Sequence, residues 1–301
     1  MSKKAKLNMP RYGNTKMGYL FMAPFLLAFV VFTLLPVLVA FFLSLTDYNI
    51  MEAPNFIGFS NYKSLILDDD EFIIALKNTF IFAGISGPIT FFASFVLAWI
   101  INRLSKTRNF FALALYVPSI TSGVALSSVW LYFFSNDSYG LINSVLYRLG
   151  IMSEPIKWTL DPKYILGVVI FVSAWMGMGN GFLAFMAGMQ NLSPELSEAG
   201  MVDGISNSFQ ELIYIILPQL KPQLLFGAVN SIVSAFGVFD IAVAIAGMPS
   251  PNYAAHTIVA HMYDYAFIRF EMGYSSAISV VLFVITYILN RIVMRVFASK
   301  D

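Results

Sequence analysis

No cysteine occurs among the 301 residues, which excludes a disulfide framework and any thiolate-bound metal. Histidine is nearly as scarce. His256 and His261 stand at i and i+5 with no carboxylate at metal-ligand spacing, and they read as ordinary polar loop residues. A phosphate-cradling Gly-x-x-x-x-Gly-Lys-Ser/Thr loop is missing too, down to the absence of any Gly-Lys pair, so this chain is not expected to hydrolyse ATP. No catalytic, metal or cofactor site is expected in it. Charge is thin as well: 12% of residues are Asp, Glu, Lys or Arg, against about 25% in soluble domains. With 58% hydrophobic residues and a mean hydropathy of +0.73, that composition excludes a soluble domain and indicates a polytopic membrane protein. The net charge of +1 gives no reason to expect a nucleic-acid partner.

What the chain does contain is six apolar stretches long enough to cross a bilayer, which takes about 20 residues. They fall near Gly18 to Leu45, Thr79 to Asn102, Asn109 to Ser135, Tyr164 to Gln190, Gln223 to Gly247 and Tyr274 to Val296. In hydrocarbon each backbone polar group must be satisfied within its own segment, and a barrel would show short alternating strands instead of continuous runs. The expected fold class is therefore all-α. Residues 18–297 form the expected transmembrane domain, between an N-terminal segment, 1–17, and a tail, 298–301. The first stretch exceeds a signal-peptide core and reads as a retained helix that doubles as insertion signal.

Lys and Arg orient these spans. Lys3, Lys4, Lys6, Arg11, Lys16, Arg103, Lys106, Arg108, Lys221, Arg291, Arg295 and Lys300 fall on one side, twelve of the chain's eighteen, so both ends are expected in the cytoplasm.

The inner loop, residues 191–222, reads as two short helices. Ser193-Pro194-Glu195 is a helix start, with Ser193 at the cap, Pro194 at the first helical position and an acid in the first turn. Gly204 is placed to end that helix in a left-handed conformation. A second helix is expected from Ser208 to Ile216, stopping at Leu217-Pro218, and Pro222 starts the next span. Read without further context, this is a long connector with capped helices.

The residues Glu198, Ala199, Gly200, Asp203, Gly204, Leu217 and Pro218 resemble the cytoplasmic coupling loop, the EAA loop, of permease subunits in binding-protein-dependent ABC importers. That pattern runs Glu-Ala-Ala, two residues, Asp-Gly-Ala, a spacer, then Leu-Pro. This sequence departs with Gly200 for the second Ala and Ile205 for the third, and its spacer is one residue longer. The likeness extends to sugar permeases of the maltose-transporter type through Gly58, Asn61, Asn78 and Thr79, through Gly140-Leu141-Ile142-Asn143, and through Phe236-Gly237-Val238-Phe239-Asp240. It implies a six-helix permease of a prokaryotic cell membrane, one half of an importer for mono- or oligosaccharide. It also implies as partners a second related permease, ATPase subunits that use ATP and magnesium at the inner loops, an extracytoplasmic sugar-binding protein and the lipid bilayer.

Substrate contacts are sought among polar and aromatic groups inside spans. Asp240 is the main candidate, since a charge at membrane depth is costly, although an acid near the outer interface can simply cap a helix there. Asn180, Asn230, Trp175 and Phe239 add amides and aromatic faces, the groups that recognise sugars, and each can equally be packing. Asp68-Asp69-Asp70-Glu71 reads as a solvated face or helix start. Two alternatives stay open: an ion-gradient transporter, which would need intramembrane acids or broken helices, and an ABC permease for another solute.

Overall fold

In a computed structural model, residues 15–104 and 106–297 are described. Most of the expected segment 1–17 and the tail 298–301 lie outside that range, as do several of the cations that orient the chain. Among the described residues there is no strand, only an isolated bridge between Thr46 and Phe56, so the all-α expectation holds.

Among the described residues four helices are long and apolar enough to cross a membrane unaided: α1 (Met17–Leu43), α3 (Asp70–Asn102), α7 (Ile165–Gln190) and α13 (Met272–Phe297). Between the first two lies α2 (Ser60–Leu67). The expected third span is broken. It consists of α4 (Arg108–Ile120) and α5 (Gly123–Phe133), set at 101° across Thr121-Ser122. After the short helix α6 (Leu141–Arg148) and α7 come α8 (Pro194–Val202) and α9 (Ser208–Gln219), the two helices of the expected inner loop. The expected fifth span is divided as well, into α10 (Lys221–Phe236) and α11 (Asp240–Ala246), and the short α12 (Ile258–Tyr263) precedes α13.

Two boundaries and the continuity of two spans differ from those expected, each for a local reason. The second span begins at Asp70, nine residues earlier than read, because Asp69 accepts the Phe72 N–H at 2.8 Å and Asp70 and Glu71 complement the positive end of the helix. The second inner-loop helix does not stop at Leu217-Pro218 but runs on to Gln219. Pro218 lacks an N–H and crowds the carbonyl four residues back, and the π-type turn Leu212–Ile216 opens the helix just there. The third and fifth spans break because Thr121-Ser122 and Gly237-Val238-Phe239 abandon helical backbone in the middle of apolar composition. Hydropathy alone does not report such breaks.

Packing places α7 centrally, against α3, α4, α10 and α11. On α7, Gly177 and Gly181, four residues apart on one face, let the backbone come close to Thr90 and Ser94 of α3. Two apolar clusters result. One joins Phe82, Val172, Met176, Phe236 and Ala242, and the other joins Phe95, Phe182, Phe185, Met189, Ile216 and Leu224. A polar layer lies between them. By contrast α1 buries none of its residues and packs chiefly on α13, so within this chain its apolar surface is left to the membrane or another subunit.

Candidate functional site

The polar layer is a cavity of about 330 Å³ near the middle of α3 and α7, where both helix breaks meet. Thr121 and Gly123 come from the first break, and Gly237, Phe239 and Asp240 from the second. A β-carbon on Gly123 would stand 3.6 Å from that of Asp240, so the two broken helices touch. The other walls carry Ser86 and Thr90 of α3, Ser173 and Asn180 of α7, and Asn230 and Ser234 of α10. Ser119 and Thr121 give their hydroxyl protons to the Tyr116 and Val117 carbonyls, at 2.7 and 2.8 Å, which leaves their oxygens as acceptors. The Ser173 hydroxyl is buried without a protein partner. Asp240 is the lone charged residue among the lining groups, and no Lys, Arg or His shares the wall.

Asp240, Asn230, Asn180 and Phe239 thus come together on one cavity, Asn180 from α7 and the other three from α10, α11 and the break between them. Asp240 is not inside a continuous span as read. It opens α11, at the first helical position after the break. Trp175 does not belong to this group. Its ring packs edge to face on Trp130 at 5.2 Å, partly buried against the first apolar cluster, and does not line the cavity. Sequence reasoning missed Ser86, Thr90, Ser119 and Ser173, hydroxyls spread through apolar runs that are recognised as one site only when the helices pack.

The inner loop is built as a helix-turn-helix. Ser193 occupies the cap position of α8 without a side-chain capping bond, and Pro194 follows it as expected. Gly204 ends α8 with φ +100°, and the Ile205 N–H reaches back to the Gly200 carbonyl at 2.9 Å. Gly200 is buried, and a β-carbon there would lie 2.5 Å from Ile215 Cδ1 and 3.0 Å from Ile205 Cδ1. The departure from Ala at this position therefore has a cause: isoleucines of the following segment occupy that space. Glu198, Ala199, Met201, Val202 and Asp203 point outward and are exposed. Leu217 and Pro218 lie on α9, whose Leu212 and Ile216 anchor in the inner apolar cluster.

On the opposite side the histidines are not loop residues in water. His261 is fully buried in α12, and its Nε2 lies 3.0 Å from the Asp69 carboxylate, which also accepts from Tyr274 at 2.7 Å. His256 is buried beside it, ring to ring at 5.5 Å. Burial foremost, then the neighbouring His261, pushes the His256 imidazole down to about 4. For Asp69 burial works upward, but the Phe72 N–H, the Tyr274 hydroxyl and His261 together hold the carboxyl below its ordinary value. Asn78 donates to the Tyr253 and His256 carbonyls, Thr79 accepts the Ile258 N–H, and Asn61 donates to the Ser44 and Thr46 carbonyls. These outer motif residues fasten loops to helices. Among the described residues no group of three metal-ligating side chains occurs.

No family model matches the chain. It is 34% identical over 280 residues to the probable ABC transporter permease protein YesP of Bacillus subtilis (strain 168), covering 92% of this chain and 89% of that one. It is 31% identical over 289 residues to the arabinooligosaccharides transport system permease protein AraP of the same organism, covering 96% and 90%. In fold it is similar to a chain of a bacterial alginate ABC transporter solved with its alginate pentasaccharide-bound periplasmic protein, with a TM-score of 0.78 at 21% identity over 95% of this chain and 96% of that one.

Proposed function

Since this chain belongs to the permease family of ABC transporters, we propose that it forms half of the translocation path of an ATP-driven importer for uncharged oligosaccharide. The observation that carries this is the cavity at the meeting of the two helix breaks. Amides and hydroxyls line it, Phe239 gives it an aromatic face, and its lone charge is a carboxylate. Sugars are held by such groups. A phosphate or a uronate would be repelled by Asp240 with no cation on this wall to offset it. Relatives named for arabinooligosaccharide transport and a fold neighbour from an alginate transporter support carbohydrate as the class.

Residues 18–297 act as one permease unit with both ends in the cytoplasm, so the exposed face of α8 meets a soluble ATPase there. The remaining partners are a second related permease, which completes the cavity, and an extracytoplasmic binding protein, which delivers sugar to the outer mouth. ATP and magnesium are used by the ATPase. Closure of the ATPases draws the inner helices together and opens the outer mouth, an alternating-access change biased by nucleotide binding.

Two broken helices beside an intramembrane acid are also what an ion-coupled transporter would use, and the test separates the two. The complex of this chain with the other three components is reconstituted in liposomes and offered labelled neutral oligosaccharides from hydrolysed arabinan and starch, or oligouronides. Uptake that needs ATP, survives ionophores and favours the neutral pool is expected. Uptake driven by an ion gradient without ATP, or preference for the uronides, would overturn this reading.

A further inference from the structure

Arg103 follows the last residue of α3, and its Nη2 lies 2.9 Å from Glu211 Oε2 on α9. The other oxygen of Glu211 accepts from the Ser197 hydroxyl of α8, also at 2.9 Å. Arg103 is steadied from behind, with its guanidinium 4.8 Å from the centre of the Trp99 ring. One carboxylate thus joins three helices. Among the described residues Ser197 is the one α8 side chain with a hydrogen-bond partner, so the polar attachment of α8 to the bundle runs through Glu211. Its other seat, Gly200 against Ile215, is apolar. Dispersion contacts of that kind have no preferred direction and allow one helix to slide on another, whereas an ion pair and a hydrogen bond fix angle and distance.

We propose that the Arg103–Glu211 pair is the positioning contact that ties movement of α8 to the α3 wall of the cavity. The proposal rests on the ATP-driven reading above. From Arg103 the helix rises about 20 Å to Thr90, which lines the cavity together with Ser86 and Phe82. A pull on α8 reaches the end of α3 through Ser197, Glu211 and Arg103, and the rigid helix carries it to the site. Both partners are partly exposed, at 39% and 29%, and a pair so placed adds little to stability. That makes a transport phenotype informative about linkage rather than folding.

The test uses the reconstituted four-component importer and the labelled neutral oligosaccharides, and reads sugar moved per ATP hydrolysed. Arg103→Glu and Glu211→Arg are each expected to lower that ratio about tenfold, and the double exchange to restore it to within about threefold of the unaltered complex. Arg103→Gln and Glu211→Gln, which remove charge without reversing it, should lower the ratio in the same direction, so a folding defect in the reversals does not decide the matter. Unchanged ratios in all four single variants, or a double exchange no better than the poorer single, would overturn the linkage while leaving the transport reading intact. Failure of the unaltered complex to move sugar with ATP would remove that reading and the linkage with it.

Discussion

His261 and Asp69, 192 residues apart in the chain, meet at 3.0 Å at the end of the bundle opposite the helix-turn-helix. Asp69 simultaneously caps α3 through the Phe72 N–H and receives the Tyr274 hydroxyl. The start of one span, the outer helix α12 and the start of the last span are therefore fastened at a single carboxylate.

That carboxylate holds three partners at once, so its loss should be felt in stability. Asp69→Ala removes an acceptor whose side chain is 8% exposed and leaves His261 and Tyr274 facing an unfilled space, which should cost about 3 kcal/mol. Thermal unfolding in detergent is expected to show a loss of several degrees, with Asp69→Asn intermediate because an amide oxygen still caps the helix. Equal melting of all three proteins would contradict the role.

Acid should loosen the same region. His256 is held neutral in the fold, its value near 4 against 6.5 when free, so the unfolded chain binds the proton first as pH falls. The groups around it are His261 and Tyr253 at close range, with Asp264, Glu71 and Arg269 beyond. Its contribution is complete above about pH 6.5 and is lost between there and about pH 4. Asp69 adds a further loss below its ordinary range near 3.8. Melting curves over this window should flatten in His256→Phe, which keeps an aromatic ring without the proton site; an unaltered slope would refute the assignment.

Gly204 holds φ +100°, a backbone state costly for any residue with a β-carbon. Gly204→Val should strain the turn by about 1–2 kcal/mol and shift α8. Membrane insertion on a blot should be normal while ATP-driven uptake falls; normal uptake would detach this turn from coupling.

Gly200→Ala pushes a methyl against Ile215 Cδ1, and about 1 kcal/mol of local packing should be lost. Because the obstructing atom ends a side chain, Ile215→Val should compensate. Co-purification of the ATPase should drop in Gly200→Ala and recover in the double variant. If recovery fails, another contact sets the seat of α8.

Asp240→Asn keeps size and hydrogen bonding at the cavity and is expected to raise acceptance of oligouronides relative to neutral sugars by about tenfold, near 1.4 kcal/mol. Asp240→Leu should abolish uptake while subunit levels stay normal. Wild-type rates in the Leu variant would remove Asp240 from the pathway.

Where a residue's own chemistry dictates local backbone, the fold was legible in sequence. Gly204 after an acidic first turn, Pro194 behind Ser193 and uninterrupted apolar runs each point to one outcome. The two breaks were hidden, since Val238 and Phe239 keep the composition of a span; Thr121-Ser122-Gly123 and a glycine three residues before Asp240 were the available signs. For the cavity, Asp240, Asn230 and Asn180 could be found because polar groups are rare in such segments. Trp175 packs on Trp130, the packing alternative that a tryptophan in a span always leaves open. Arg103 and Glu211 are 108 residues apart, and only tertiary packing brings them together.

At 33 residues α3 measures about 50 Å, whereas the hydrocarbon layer is about 30 Å thick. That length exceeds what a bilayer needs, with the Asp69 junction at one tip of the helix and α12 and the start of α13 moored to it. Height and bearing of that landing stage are then one variable, set by the number of residues in a single helix. Adding four residues below the junction would raise it about 6 Å and swing it about 40°. A soluble protein shaped to the original stage would meet it turned away, with the pocket in the membrane untouched.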